Sequence, residues 1–398
     1  MQAIKGATLL TPEQTIENGT ILIEHGKIAA IGANVSIPAA ADVLDASGRY
    51  VIPGMIDAHC HTGVFADGVG WNHSDGNEMT DPVMPHLRAI DAIHPEDKAF
   101  EDLREAGVTC IGTGPGSGNL VGGMTAVVKT RGRTVDEMLV RFPSGMKMAL
   151  GENPKRVYGE QKRTPSTRMG NAGMLREYLT KAQAYLEKSA KYEKKLADFQ
   201  AGVEDVKEPD PFEIDLKLES LGKILNREIP AHIHAHRADD IMTAIRLAKE
   251  FDLDLILIHA TEGYKIADVL ADEGVPCIPG PILISRSKYE LRELSTRNAT
   301  LLSRAGVKVA IQTDQMSAVR HIRLDAAVAI NEGMSDDEAL RAITLTPAEL
   351  LGVSDRVGSL EVGKDADLVI LSAHPFDIAH GRVERVYIEG EIVYERAD

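Results

Sequence analysis

Six of the thirteen histidines fall where they could act together. His59 and His61 close the apolar stretch Val51 to Gly63, VIPGMIDAHCHTG. Successive side chains on a strand point to opposite faces, so Asp57, His59 and His61 share one face and Cys60 faces away. Two imidazoles two residues apart at a strand's end can grip one metal ion from a rigid edge. Alone, this pair reads equally well as surface or core histidines. Further on, His232, His234 and His236 put three imidazoles on one face of another apolar run. His259 closes LILIH, and Asp314 closes VKVAIQTD. Satisfied core histidines would account for one or two of these, but not for the set with an aspartate at its end. Nitrogen and oxygen donors suit Zn, Mn, Fe or Co better than a softer metal. A bound divalent ion brings the pKa of its water to about 7, which supplies hydroxide at neutral pH. The chemistry this pattern predicts is metal-assisted hydrolysis.

Such groups need a scaffold that collects strand ends. Residues 1–52 read as short strands punctuated by Gly6, Gly19, Gly26, Gly32 and Gly48, with a turn at His25-Gly26. Residues 354–398 repeat the style, with strands at Asp367 to Leu371 and Arg385 to Tyr394 and a hairpin near Glu389-Gly390. Each end is too small to be stable alone, so one β-sandwich built from both termini is expected. Between them, residues 53–353 alternate apolar strands with helical segments, the pattern of a parallel sheet with crossover helices. Glu105-Ala-Gly107-Val, Asp272-Glu-Gly274-Val and Arg304-Ala-Gly306-Val each put Gly at a helix C-terminus directly before a strand. Eight strands are expected: Val51 to Cys60, Thr109 to Thr113, Ala126 to Thr130, Met146 to Leu150, Ala231 to His236, Leu255 to His259, Pro276 to Pro279 and Val307 to Thr313. Ile241, Ala244, Ile245 and Ala248 form a helical stripe. Ser335 with Glu338, and Thr346 with Pro347 and Glu349, read as capping-box starts. The Lys/Glu/Ala-rich region 172–208 reads as a long solvated helix inserted before the fifth strand. The expected architecture is α/β: a (β/α)8 TIM-like barrel with a small sandwich, whose reactive groups gather at the C-terminal strand ends.

Pro53-Gly-x-Ile-Asp-x-His-x-His61 resembles the opening strand of the amidohydrolase superfamily, metal-dependent hydrolases built on a (β/α)8 barrel. IPAHIHAHRADDI, LILIHATEGYKIADVL and the tail GSLEVGKDADLVIL extend the resemblance over nearly the whole chain. Imidazolonepropionase-related and prolidase-related members are the most similar. The resemblance implies that His59, His61 and Asp314 hold the more buried ion. His234 and His259 would hold a second, with His236 the alternative strand-five ligand. A carboxylate after strand four would bridge the ions. Glu152, in a Gly-Glu-Asn-Pro turn, is expected there ahead of a carbamylated Lys147. Asp314 would also take the water's proton and pass it to the leaving nitrogen. His236 or the second ion would polarise the carbonyl. One or two divalent ions per chain are implied, zinc first, with Mn, Fe or Co as alternatives.

The expected reaction is hydrolysis of a C–N bond in a cyclic amide, an N-acyl amino acid or a dipeptide. The His-Ala-His run departs from the His-x-x-Glu pattern of many aromatic-base deaminases, which leaves a hydrolytic deaminase as the second reading. A non-catalytic barrel scaffold is the third. Arg131 after strand three and Arg237 after strand five are candidates for a substrate carboxylate, with Tyr264 and Arg286 behind them. Val64 to Asp81, with Trp71, Asn72, His73 and Asp75, and the Gly-rich Gly112 to Gly123 should line the pocket. A net charge of −16 argues against nucleic acid or an anionic membrane as partner. Three cysteines at unrelated spacings suggest a reducing, cytoplasmic compartment. The N-terminus lacks the apolar core of a signal peptide, and no run of about 18 apolar residues offers a membrane span. Homo-oligomers are frequent in the superfamily.

Overall fold

The computed structural model describes residues 1–67 and 74–397. Its first strands are β1 (Gln2–Leu10), β2 (Thr15–Glu24), β3 (Lys27–Gly32), β4 (Asp42–Asp45) and β5 (Tyr50–Pro53). The β2–β3 turn falls at His25-Gly26, where both central residues have positive φ, the conformation that matches the twist of a two-residue hairpin. The chain then crosses to a second sheet. Gly54 makes the crossing possible, since a Cβ there would lie 2.1 Å from Thr109 Oγ1. The stretch expected as one strand, Val51 to Cys60, is therefore split, and β6 (Met55–Cys60) begins the second sheet.

That sheet continues with β7 (Val108–Thr113), β8 (Val121–Lys129), β9 (Leu139–Ala149), β10 (Ala231–Ala235), β11 (Leu255–His259) and β12 (Cys277–Pro279), hydrogen-bonded in sequence order. All pairs are parallel except those made by β8, which runs antiparallel to both neighbours. The sheet thus has seven strands among the described residues, not eight. Residues 307–313, expected as the eighth, lie along the open seam with Asp314 at their end. Ala310 N bonds Cys277 O at 3.1 Å, Gln312 N bonds Pro279 O at 3.2 Å, and Asp314 N bonds His59 O at 3.2 Å. The barrel is nearly closed.

The helices are α1 (Lys98–Glu105), α2 (Val135–Met138), α3 (Glu152–Glu160), α4 (Arg168–Gln200), α5 (Leu216–Leu225), α6 (Ala238–Phe251), α7 (Ala267–Asp272), α8 (Asn298–Arg304), α9 (Ile322–Asn331), α10 (Asp336–Ala342) and α11 (Leu345–Leu350). Gly107, Gly274 and Gly306 follow α1, α7 and α8 in the left-handed conformation, as their junctions predict. The Ile241, Ala244, Ile245 and Ala248 stripe of α6 is buried against the barrel. Ser335 and Glu338 form the expected capping box of α10. The next helix starts earlier than expected, at Leu345, so Thr346 lies inside it rather than at its cap, and Thr344, whose hydroxyl donates to Leu340 O, leaves α11 without a side-chain cap. The insertion is α4, packed on α5, and it precedes β10. Leu175, Leu179 and Ala182 bury the first half of α4, and most of its second half is solvated.

The chain returns to the first sheet with β13 (Leu368–Leu371), β14 (Val383–Ile388) and β15 (Glu391–Glu395). The order is β15-β14-β13-β5-β1-β2-β3, with β4 on β1, so strands from both termini interleave. Ile4, Leu9, Ile21, Val51, Leu368 and Ile370 form its separate core. Among the described residues no helix is long and apolar enough to cross a membrane.

Candidate metal centre

Two groups of side chains converge where β6, β10 and β11 meet the 307–314 segment. His59, His61 and Asp314 form one, and His234, His236 and His259 the other; within each, the donor atoms lie within 4.8 Å of one another. Asp314 Oδ1 is 3.2 Å from His61 Nε2, 3.4 Å from His59 Nε2 and 3.8 Å from His259 Nε2, so it links the groups. In the second group the ring centroids lie 4.4 to 4.6 Å apart.

The ring orientations are fixed from behind. His61 Nδ1 donates to Gly114 O at 2.8 Å, His259 Nδ1 to Gly280 O at 2.7 Å, and His236 Nδ1 lies 2.7 Å from Thr261 Oγ1. The two carbonyl acceptors leave the Nε2 lone pairs of His61 and His259 facing the centre, the usual arrangement behind metal-ligating histidines. His236 Nε2, His259 Nε2 and both ring nitrogens of His234 are buried with no protein hydrogen-bond partner. Buried polar atoms are rarely left so, and convergent neutral nitrogens beside a carboxylate fit a divalent ion. Burial holds His59, His234 and His236 well below the usual imidazole range and brings His259 down to about 4. Burial works against the charge of Asp314, yet the surrounding His259, His59 and His61 hold its carboxyl well below the ordinary range. These shifts favour the neutral imidazoles of His59, His234, His236 and His259 and the ionised carboxylate of Asp314, the states that bind metal.

The backbone supports this placement at some strain. His259, Ala260 and Asp314 all have positive φ, at 71°, 41° and 53°. Such conformations in non-glycine residues concentrate at functional sites. Asp57 ties the two sides of the seam together. Its Oδ1 accepts from His59 N at 3.0 Å, and its Oδ2 accepts from Thr313 N at 3.1 Å and Thr313 Oγ1 at 2.7 Å. Burial raises it to about 7 despite those bonds. Gln312 adds a brace, donating from Nε2 to Gly280 O at 2.7 Å. Sequence reasoning gives neither residue a role, although Asp57 and Gln312 each lie two positions before a ligand candidate.

Lys147 is buried with its Nζ 2.7 Å from His59 Nε2. Burial lowers it to about 8, with Asp314 partly offsetting. Glu152, the favoured bridging residue, stands apart from both groups. The chain turns at Gly151, so Glu152 opens α3, and its amide donates to Glu290 Oε1 at 2.7 Å. The signal for Lys147 was a lone lysine within the apolar run Met146 to Leu150.

The other expected contacts lie elsewhere. Because β8 runs backwards, Arg131 emerges at the opposite end of the barrel and pairs with Glu391 of β15. Arg237 forks onto Asp239 at 2.9 and 2.8 Å. Tyr264 Oη donates to Glu293 O at 3.3 Å, and Arg286 braces Arg292 O and Leu294 O. Trp71, Asn72 and His73 lie outside the described residues. The Gly-rich segment is the β7–β8 connection, and it reaches the centre through Gly114 O. His232, the third imidazole of β10, lies deeper, its ring against Gly145.

An amidohydrolase from Thermotoga maritima MSB8 has a similar structure, with 43% identity, full coverage of both chains and a TM-score of 0.92. Amidohydrolase tasK of Hapsidospora irregularis is 27% identical over 95% of this chain, which spans 40% of that protein's length. The imidazolonepropionase of Thermoplasma volcanium is 24% identical over 96% of this chain and 92% of its own. The amidohydrolase family profile matches residues 50–393, and with that match the chain belongs to the amidohydrolase family, as a hydrolase acting on C–N bonds.

Proposed function

We propose that this protein is a metal-dependent hydrolase that cleaves the amide bond of a small cyclic amide, N-acyl amino acid or dipeptide. The observation that carries this is the pair of donor groups linked by Asp314, with buried imidazole nitrogens that no protein group satisfies. His59, His61 and Asp314 would hold one ion, and His234 and His259 a second, with His236 beside them. Zinc suits this donor set, with Mn, Fe or Co as alternatives. Bound ions would supply an acidified water and a Lewis acid for the carbonyl. Lys147 is the bridging candidate in place of Glu152. Its neutral amine can add to carbon dioxide, forming an N–C bond and releasing one proton, which turns a buried base into a carboxylate.

Asp314 takes the proton of the attacking water on a carboxylate oxygen and returns it to the departing nitrogen. With Nδ1 accepting from Thr261 Oγ1, His236 would carry its one proton on Nε2 and donate it toward the carbonyl oxygen as charge develops there. The barrel, residues 53–353, carries this chemistry, and the terminal segments 1–52 and 354–398 brace it. Three free, buried cysteines accord with a cytoplasmic setting.

Elemental analysis and a hydrolysis screen test the reading. Two ions per chain and amine release from an amide panel are expected. One ion with ammonia release from a heterocyclic amine would make it a deaminase. Metal-free protein without turnover on either panel would make it a scaffold.

A further inference from the structure

Beside the metal centre, Glu152, Asn153, Lys155 and Arg156 of α3 face Ser287 and Lys288 of the segment after β12 across a cleft of ≈ 590 Å³. Three cations meet one carboxylate there, in a chain whose net charge is −16. None of the three cations forms an ion pair among the described residues. Lys288 is half-buried, and its ammonium donates to Asn153 Oδ1 at 3.2 Å. Asn153 in turn donates to Ser117 Oγ at 2.8 Å, which joins three loops of the barrel mouth. The neighbouring acid is already committed: Glu290 accepts from Arg168 at 2.5 Å and from Glu152 N at 2.7 Å. The charge on Lys288 is felt by His234, His236 and His259, and it feels Asp314 in return. Both walls leave the C-terminal ends of barrel strands, α3 directly after β9 and Lys288 after β12, so the cleft opens at the end of the barrel that carries the centre. Glu290, Asp314 and Glu152 all pull on Lys288, but none stands within ion-pair distance and burial still lowers it. A charge so weakly matched is costly to bury, and a ligand that brings a carboxylate into contact relieves that cost.

We propose that this cleft is the subsite for a carboxylate on the substrate, with Lys288 as its ion-pair partner and Arg156 at its rim. This rests on the hydrolase reading above. Glu152 on the same wall repels a phosphate dianion and leaves a complement suited to a single negative charge. Lys288 is then the residue that selects acids over neutral amides.

Matched probes test this: alanyl-proline, N-acetylproline and pyroglutamate, each as the free acid and as the carboxamide. Binding to the metal-loaded enzyme is read by calorimetry. At least one acid is expected to bind about tenfold more tightly than its amide. In Lys288→Met that preference should vanish while affinity for the amide holds, which a merely structural lysine would not produce. Lys288→Arg should restore it, and Arg156→Gln should cost the acid about threefold. Acids and amides that bind alike across the set overturn the subsite, whether or not any is hydrolysed. A Lys288-dependent acid preference without hydrolysis upholds the subsite and counts against the hydrolase reading alone. Inorganic phosphate binding more tightly than any acid, again through Lys288, overturns the carboxylate assignment.

Discussion

Lys129 and Lys147 sit on neighbouring strands, 3% and 1% exposed, and burial treats them in opposite ways. Lys129 lies near the base of the barrel, 2.6 Å from Asp367 Oδ2 and 3.1 Å from Asp365 Oδ2. Arg356 and Lys27 complete that cluster on Asp365, and Glu389 N satisfies Asp367 Oδ1. Burial alone would lower Lys129, but the two aspartates outweigh it and raise it. Lys147, at the mouth, has an imidazole at 2.7 Å and falls to about 8. The base is a closed account of charge that fastens barrel to terminal sheet. The mouth leaves its donors unmatched, and it is there that reactive groups are kept.

The sharpest break of this contrast is Asp314→Asn. It should keep the fold and much of the metal but reduce kcat about a thousandfold, as loss of a general base does. Full activity in that variant ends the proton-transfer assignment. Next comes Lys129→Met, which leaves the buried Asp367 carboxylate without a cation and should cost about 3–5 kcal/mol in urea unfolding. A loss below 1 kcal/mol would mean that the base is not a latch.

Lys147→Met should do the reverse to metal-free protein. The folded pKa, about 8, lies below the unfolded value of 10.5, so the unfolded chain binds more protons between them. The penalty is full below pH 8 and fades as pH rises toward 10.5. At pH 7 the variant should gain about 3 kcal/mol by the cost of a shifted pKa, and the gain should shrink in alkali. A pH-independent difference refutes this. The smallest effect belongs to Arg131→Ala. Its partner Glu391 is exposed, so stability should move by less than about 0.5 kcal/mol and KM not at all.

Much of the centre was legible because strand periodicity is local. The spacing of His59 and His61, and of His234 and His236, sets which residues share a face whatever the rest of the chain does. Strand direction is not local. Val121 to Lys129 is buried at every position, and an apolar run reads the same in either sense. Arg131 was therefore assigned to the wrong end. Glu152 was misjudged because its turn depends on Glu290, far away in sequence. Lys147 was legible as an anomaly, but its neighbours come from other strands. The Gly306 junction and the apolar run after it predict an eighth strand, yet residues 307–314 bond alternately to β12, to β6 and to other segments rather than forming a ladder.

The pairing of β5 with β13 also has a consequence for synthesis. Ile52 meets Val369, so the outer edge of β5 waits for a partner made about 300 residues later. At ~5–20 residues per second, that delay is on the order of 15 to 60 s on the ribosome. Throughout it the nascent chain presents an open apolar β edge, a ready template for association with other chains. Translation speed through the barrel, rather than final stability, would then govern how much soluble enzyme a cell obtains.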